Sequence, residues 1–286
     1  IYMFYGDHKL LADCYENIKR YVDYVDRTSP TGLTSWGRGD WVPVKSHSSK
    51  ELTSSVYFYV DTKILANAAK MFNKTEDYKY YSALANKIKN AINDKFLNRE
   101  TGIYGSGVQT EQSVPLHVGV LGAKAILNAL SENGEAETAY KLAAQDTYPS
   151  WGCWIANGAT TLLENWDLNA TRDISDNHMM FGEIGGWFYK GLGGIFPDPE
   201  NPGFKHILLR PNFPSGLNEL EARYQSPYGE ICSKWERKKN RIVYHVTVPA
   251  NSTATFYAPD NVKGERAVNL EAGKHILELP IKRAVY

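Results

Sequence analysis

Apolar residues recur at helical spacing from the N-terminus to about residue 192. Leu10, Leu11, Cys14, Ile18, Tyr21, Val22 and Val25 form one stripe, and Tyr57, Val60, Ile64, Ala68 and Met71 form a second. Thr75 reads as the cap of a third helix, with Glu76 and Asp77 favourable in its first turn and Tyr81, Leu84, Ile88 and Ile92 as its apolar face. Asn98-Arg99-Glu100-Thr101-Gly102 reads as a turn. A fourth helix is predicted from roughly Leu121 to Leu130, stopping near Gly134, and a fifth from Glu135 to Ala144. Further helices are predicted over Asn157–Asn165 and Asn177–Leu192. No strand pattern interrupts them. Successive helices on short connections point to helical hairpins packed side by side, as in a bundle or an α/α toroid.

The period changes after Ile195. Pro197, Pro199, Pro202 and Gly203 punctuate the chain, and beyond them apolar and polar positions alternate. Ile242, Tyr244, Val246 and Val248 share one face of a strand, and Ile231, Ser233 and Trp235 share one face of another. His206–Arg210, Leu220–Ser226, Thr253–Tyr257 and Lys274–Leu279 are further strand segments. Turn signals at Pro227-Tyr228-Gly229, Pro249-Ala250-Asn251 and Pro259-Asp260-Asn261 separate them. Many short strands with such turns predict an antiparallel β-sandwich. The expected organisation is a helical domain over residues 1–195 and a β-sandwich over 196–286.

Composition narrows the function more than the fold. The 286 residues suit about two domains at ~150 residues each. Thirty-two Lys and Arg balance thirty-two Asp and Glu, which disfavours a basic nucleic-acid binder or a polybasic membrane binder. No apolar run reaches the ~18 residues of a spanning helix. The opening Ile1-Tyr2-Met3-Phe4-Tyr5 has no basic flank, is too short for a signal peptide and lacks an initiator Met, so the chain is expected to start inside a longer protein. Its compartment stays open, with periplasm or secretion ahead of cytoplasm. Sequons at Asn73, Asn169 and Asn251 are at chance level. Cys14, Cys153 and Cys232 show no zinc-ligand spacing, and one disulfide among them is left open. Seven Trp, nineteen Tyr and ten Phe fit large cores, or a sugar cleft in which flat rings cover the apolar face of a pyranose.

Nucleotide fingerprints, a GxSxG elbow and HExxH are all absent, which leaves carboxylates, histidine and tryptophan to carry chemistry. Three segments concentrate them. In Ser35-Trp36-Gly37-Arg38-Gly39-Asp40-Trp41 the glycines permit close backbone approach and Trp36 and Trp41 can stack on a sugar; the alternative is a tight loop with Asp40 bonding local amides. In the segment from Tyr148 to Trp166, Asn157 is read as the cap of a helix holding Glu164. Beside Leu163 and Trp166 that carboxylate would be partly desolvated, which raises its pKa and suits a general base. The alternative is a Glu bonded to neighbouring backbone, or an exposed one. In Asp176-Asn177-His178-Met179-Met180-Phe181-Gly182, Asp176 is read as a cap and His178 as a first-turn residue whose imidazole is kept neutral, or else as a structural histidine.

In this order these segments resemble the C-terminal part of bacterial α-L-rhamnosidases of glycoside hydrolase family 78. The resemblance is carried by Tyr5-Gly6-Asp7, Gly39-Asp40-Trp41, Tyr148-Pro149-Ser150-Trp151-Gly152, Asn157-Gly158-Ala159-Thr160-Thr161 with Glu164 and Trp166, and Asn177-His178. Pro202-Gly203-Phe204-Lys205, Tyr224-Gln225-Ser226-Pro227-Tyr228-Gly229 and Pro249-Ala250-Asn251-Ser252-Thr253-Ala254 extend it over nearly the whole chain. It implies part of an (α/α)6 barrel followed by a β-sandwich, and inverting hydrolysis of terminal α-L-rhamnose without a cofactor. Glu164 matches the general base. Trp41 and His178 match sugar-binding positions, with Asp40, Trp36 and Trp166 as further candidates.

Two departures stand out. The family's Asp-Glu-Arg-x-Gly-Trp-type motif, which carries the general acid, is missing, so the fragment alone is expected to be inactive and to rely on the N-terminal remainder of the enzyme. The connection between Pro115-Leu116-His117 and Gly119-Val120-Leu121-Gly122 is also shorter than in the family. The expected partner is a rhamnose-containing glycan or glycoside, with neither nucleic acid nor membrane. Alternatives are a carbohydrate-binding or structural module without catalysis, or an α/α-toroid enzyme for another sugar or a uronic acid.

Overall fold

The computed structural model describes residues 1–37, 39, 48–107, 111 and 122–282. The shortened connection near residues 115–121 lies outside the described residues. Contacts divide the chain into two compact units. One comprises Ile1–His8, Leu130–Leu163 and Asp176–Tyr286; the other comprises Lys9–Ala129 and Glu164–Ser175.

The second unit is built on three long helices, α2 (Lys9–Thr28), α3 (Lys50–Met71) and α4 (Thr75–Phe96), which follow a single turn, α1 (Tyr2–Tyr5), belonging to the first unit. The predicted stripes hold in part. Val22 and Val25 of α2 are buried, but Leu10 and Tyr21 are exposed. Tyr81, Leu84, Ile88 and Ile92 of α4 are all buried. Helix α3 is buried over most of its circumference, small polar residues Ser54, Ser55 and Thr62 included. That explains why its apolar stripe is poorly defined: a helix enclosed by neighbours needs no polar face. Ser49 caps α3, its hydroxyl accepting from the Leu52 amide. Thr75 does not cap α4. Lys74 holds that position without a side-chain capping bond, and Thr75 is the first helical residue. Between α2 and α4 the Tyr15 hydroxyl donates to Asp77, and Tyr81 links Asp23 with Lys19.

The Asn98–Gly102 turn closes a two-residue hairpin, β1 (Leu97–Asn98) with β2 (Ile103–Tyr104), in a stretch where no strand was predicted. The Asn98 side chain accepts from the amides of Glu100 and Thr101, and Gly102 takes positive φ. Two helices follow, α5 (Gly122–Glu132) and α6 (Ala136–Ala143), close to their predicted bounds.

The first unit contains the sandwich. One sheet has the order β10 (Gly273–Pro280), β7 (Arg241–Val248), β6 (Gly229–Arg237), β5 (Glu219–Ser226). The other runs β3 (Ile195–Pro197), β4 (His206–Leu209), β8 (Thr253–Tyr257), β9 (Ala267–Leu270). Strands β3 and β9 carry too little alternation to be read from the sequence. The pairing is antiparallel except for β4 with β8, which is parallel because β5, β6 and β7 of the other sheet lie between them in the chain. Alternation along β7 buries Ile242, Tyr244, Val246 and Val248, and along β6 Ile231, Ser233 and Trp235. These residues share one core with Ile207, Leu209, Ala254 and Phe256 of the facing sheet. Tyr244 meets Phe256 at 5.3 Å between ring centres, and Phe213 meets Trp235 edge-on at 5.2 Å. The Ser233 hydroxyl donates to the Gly193 carbonyl, which anchors the preceding turn on the sandwich. All three cysteines are free thiols.

Candidate active site

The segment from Tyr148 onward departs from its predicted helix. The helix is α7 (Trp151–Ala156), about two turns earlier, and Ser150 caps it by accepting from the Cys153 amide at 3.0 Å. Asn157 lies at its C-terminal end and donates to the Cys153 carbonyl at 2.8 Å. With Gly158 at positive φ the helix cannot continue. Glu164 therefore stands on irregular backbone, with Leu163 and Trp166 close in the chain.

That backbone is held by a few bonds. Within the first unit the His178 amide donates to the Leu162 carbonyl at 2.8 Å, and the Thr161 hydroxyl donates to the Asp176 carbonyl. Within the second unit the Glu164 amide donates to the Ser175 carbonyl at 2.9 Å, and the Ser175 amide returns a bond to Glu164 Oε2 at 3.2 Å. Glu164 is half-buried, and one of its carboxylate oxygens is oriented by the Ser175 amide. A carboxylate oriented by a main-chain amide keeps acceptor capacity for a water or a sugar hydroxyl.

His178 is itself a cap, where Asp176 was expected. Its Nδ1 accepts from the Met180 amide at 3.1 Å, at the start of the 3-10 turn Met179–Phe181. Since a main-chain N–H can only donate, Nδ1 is unprotonated and Nε2 carries the proton. The imidazole is half-buried, with its N–H on the edge away from the Met180 amide. The predicted continuous helix to Leu192 is instead this 3-10 turn, α8 (Glu183–Trp187) and a π turn, Phe188–Leu192. Trp151 Nε1 donates to the Phe181 carbonyl at 3.1 Å, and Trp154 packs edge-on against the Phe181 ring.

Trp36 is 60% exposed, with its ring centre 6.0 Å from Tyr21 and 5.4 Å from Tyr24. Together they form an exposed aromatic cluster on the second unit. Trp166 is half-buried in the same unit. Asp40 and Trp41 lie outside the described residues.

Two carboxylates escaped the reading of the sequence. Glu111 is 3% exposed; one oxygen accepts from the Ser49 amide at 2.8 Å, and the other from the Ser106 amide and hydroxyl at 2.7 and 2.8 Å. It sits in a polar run with no periodicity to mark it as buried. Burial alone pushes the Asp61 carboxyl on α3 up, and burial followed by the Asp61 charge pushes the Tyr21 phenol up. No group of three or more His, Cys, Asp or Glu able to hold a metal occurs among the described residues.

The family model for the bacterial alpha-L-rhamnosidase 6 hairpin glycosidase domain matches residues 1–121 and 116–192, and that for the bacterial alpha-L-rhamnosidase C-terminal domain matches 194–273. The chain belongs to the bacterial α-L-rhamnosidase family. An alpha-L-rhamnosidase of Streptomyces avermitilis is 26% identical over 91% of this chain and 28% of its own length. One of Alteromonas sp. strain LOR is 28% identical over 94% of this chain and 34% of its own. The chain thus spans about a third of the length of these relatives. Among solved structures, an alpha-L-rhamnosidase from Dictyoglumus thermophilum superposes with a TM-score of 0.88 at 30% identity, covering 97% of this chain and 38% of that one. The Streptomyces avermitilis enzyme complexed with L-rhamnose gives 0.81 at 25% identity, covering 98% and 31%.

Proposed function

We propose that this chain is the C-terminal part of a glycoside hydrolase that removes terminal α-L-rhamnose with inversion. Family membership supports the reaction class. The structural observation that carries the assignment of roles is the Glu164 carboxylate, half-buried on irregular backbone and steadied by the Ser175 amide. In this reading Glu164 accepts a proton from water as the water oxygen attacks the anomeric carbon. The glycosidic C–O bond breaks on the opposite face, and the departing oxygen takes a proton from a general acid carried by sequence outside these 286 residues. An inverting pair stands ~6.5–9.5 Å apart to admit that water. His178 Nε2–H donates to a sugar hydroxyl, and Trp41, Trp36 and Trp166 cover apolar C–H faces, with Asp40 beside them. In this reading residues 1–195 make the helical catalytic part and 196–286 the sandwich, with the boundary falling inside strand β3 (Ile195–Pro197).

In the intact enzyme, Glu164→Gln cuts hydrolysis of an aryl α-L-rhamnoside at least ~100-fold, the lower range for losing general-base help. Near-normal turnover refutes the assignment. The first-formed product, followed by proton NMR, is the β-anomer; release of the α-anomer refutes inversion. The missing acid motif favours a second reading, a saccharide-binding module without chemistry. Two results eliminate the module: turnover by the 286-residue chain in an activity assay beside an L-rhamnose titration, or loss of turnover on Glu164→Gln in the intact enzyme.

A further inference from the structure

We propose that the cavity between α1, α8 and strand β5 in the first unit is a non-catalytic binding site for a neutral saccharide. It encloses about 510 Å³, within the ~300–1,000 Å³ range of small-molecule sites. None of the candidate active-site side chains lines it. Three of its rings, Phe4, Phe204 and Tyr224, pack on one another with centres 4.9–6.2 Å apart. Tyr189, 45% exposed, adds a fourth aromatic wall. Rings so placed suit either a flat arene or the C–H face of a sugar.

The polar lining decides between them. Arg223 donates from Nε to Glu221 and from Nη1 to Glu230, which uses two of the five N–H donors of a guanidinium. Lys190 donates to Glu183 at 3.3 Å with an ammonium that carries three donors. Both cations that line the cavity are thus already ion-paired, and Glu221 is shared with Lys234 at 3.3 Å, so an anionic ligand finds no uncompensated positive charge there. The N–H donors of Arg223 and Lys190 line the cavity together with the Gln225 amide, which brings an acceptor, a pattern that hydroxyl groups match because each both donates and accepts. A bare arene leaves them unanswered. Gly185 lines the same cavity, and a Cβ built on it meets nothing within 4 Å, so the α8 backbone stays open to a ligand there.

The empty space beside Gly185 supplies the test. Leucine there fills the cavity, and its helical φ is one that any residue adopts. Methyl α-L-rhamnopyranoside, methyl β-D-glucopyranoside and phenol are titrated against the 286-residue chain in a Glu164→Gln/His178→Ala background, followed by saturation-transfer NMR and calorimetry. At least one methyl pyranoside binds, more tightly than phenol. Adding Gly185→Leu, or separately Tyr189→Ala, weakens that binding at least tenfold with an unchanged melting temperature. Binding that neither change touches, no pyranoside binding at all, or phenol binding at least as tightly overturns the proposal. Rhamnoside hydrolysis by the intact enzyme is the same with Gly185→Leu as without it. Failure of this site is thereby distinguished from failure of the Glu164 assignment, which only the Glu164→Gln variant tests.

Discussion

Along β7 every second side chain is buried, and the strand is paired on both edges, with β6 over Ile242–Thr247 and with β10 over its whole length. Between Asn157 and His178 no residue is buried, and no helix or strand forms. There the main chain rests on isolated bonds such as Leu162 with His178 and Glu164 with Ser175. In the strand, regular bonding commits alternate side chains to packing. In the loop, few side chains are consumed by a core, so a carboxylate, an imidazole and an indole stay half-exposed and able to meet a ligand. Stability is concentrated in the first region and chemistry in the second, as expected when sites sit on loops held by a rigid scaffold.

The contrast is open to tests of decreasing size. Trp235 is fully buried and touches Phe213, so Trp235→Ala costs ~3–5 kcal/mol in urea unfolding. A loss under 1 kcal/mol would mean that the sandwich core is not where stability resides. Glu164→Gln, by comparison, leaves the unfolding midpoint nearly unmoved while abolishing most turnover of the intact enzyme. Ser150 closes the N-terminus of α7, and Ser150→Ala costs about 1 kcal/mol through the lost cap. Any larger loss shows that this short helix supports more than itself.

The smallest effect is read against pH. Burial pushes the Glu137 carboxyl up, but hydrogen bonds from the Ser215 hydroxyl and amide outweigh it and hold the group below the usual glutamate range. A carboxylate depressed in the folded state stabilises above its ordinary pKa of ~4.3, and that contribution fades as pH falls through the lower folded value. Glu137→Gln therefore lowers the melting temperature slightly at pH 7, and the difference from the parent chain shrinks as pH drops below 4. A gap that is constant with pH would place the effect in packing rather than charge.

Periodicity made the scaffold legible. The buried faces of α4, β6 and β7 are the ones their spacing predicts, because a helix or strand repeats its geometry and one buried face imposes that repeat on the residues. The site was legible as residue types and misplaced as structure. Glu164 was expected on a helix, and stands instead on a loop beyond Gly158. Asp176 was expected to cap, and His178 does. Both errors arise where local bonds compete: a serine about two turns upstream captured the helix start, and a histidine nitrogen supplied the acceptor an aspartate would have given. Glu111 shows the limit, since nothing in its polar neighbourhood distinguishes a buried carboxylate from an exposed one.

The sequence by itself determined the succession of helical hairpins and alternating strands, the turns between them and the residue types available for sugar chemistry, because these follow from short-range spacing. Tertiary structure alone decided that β4 pairs in parallel with β8, that Ser49 and Ser106 bury Glu111, and that His178 presents Nε2–H. Each of those depends on which donor meets which acceptor across a gap in the chain, and such meetings are set by packing rather than by neighbours in sequence.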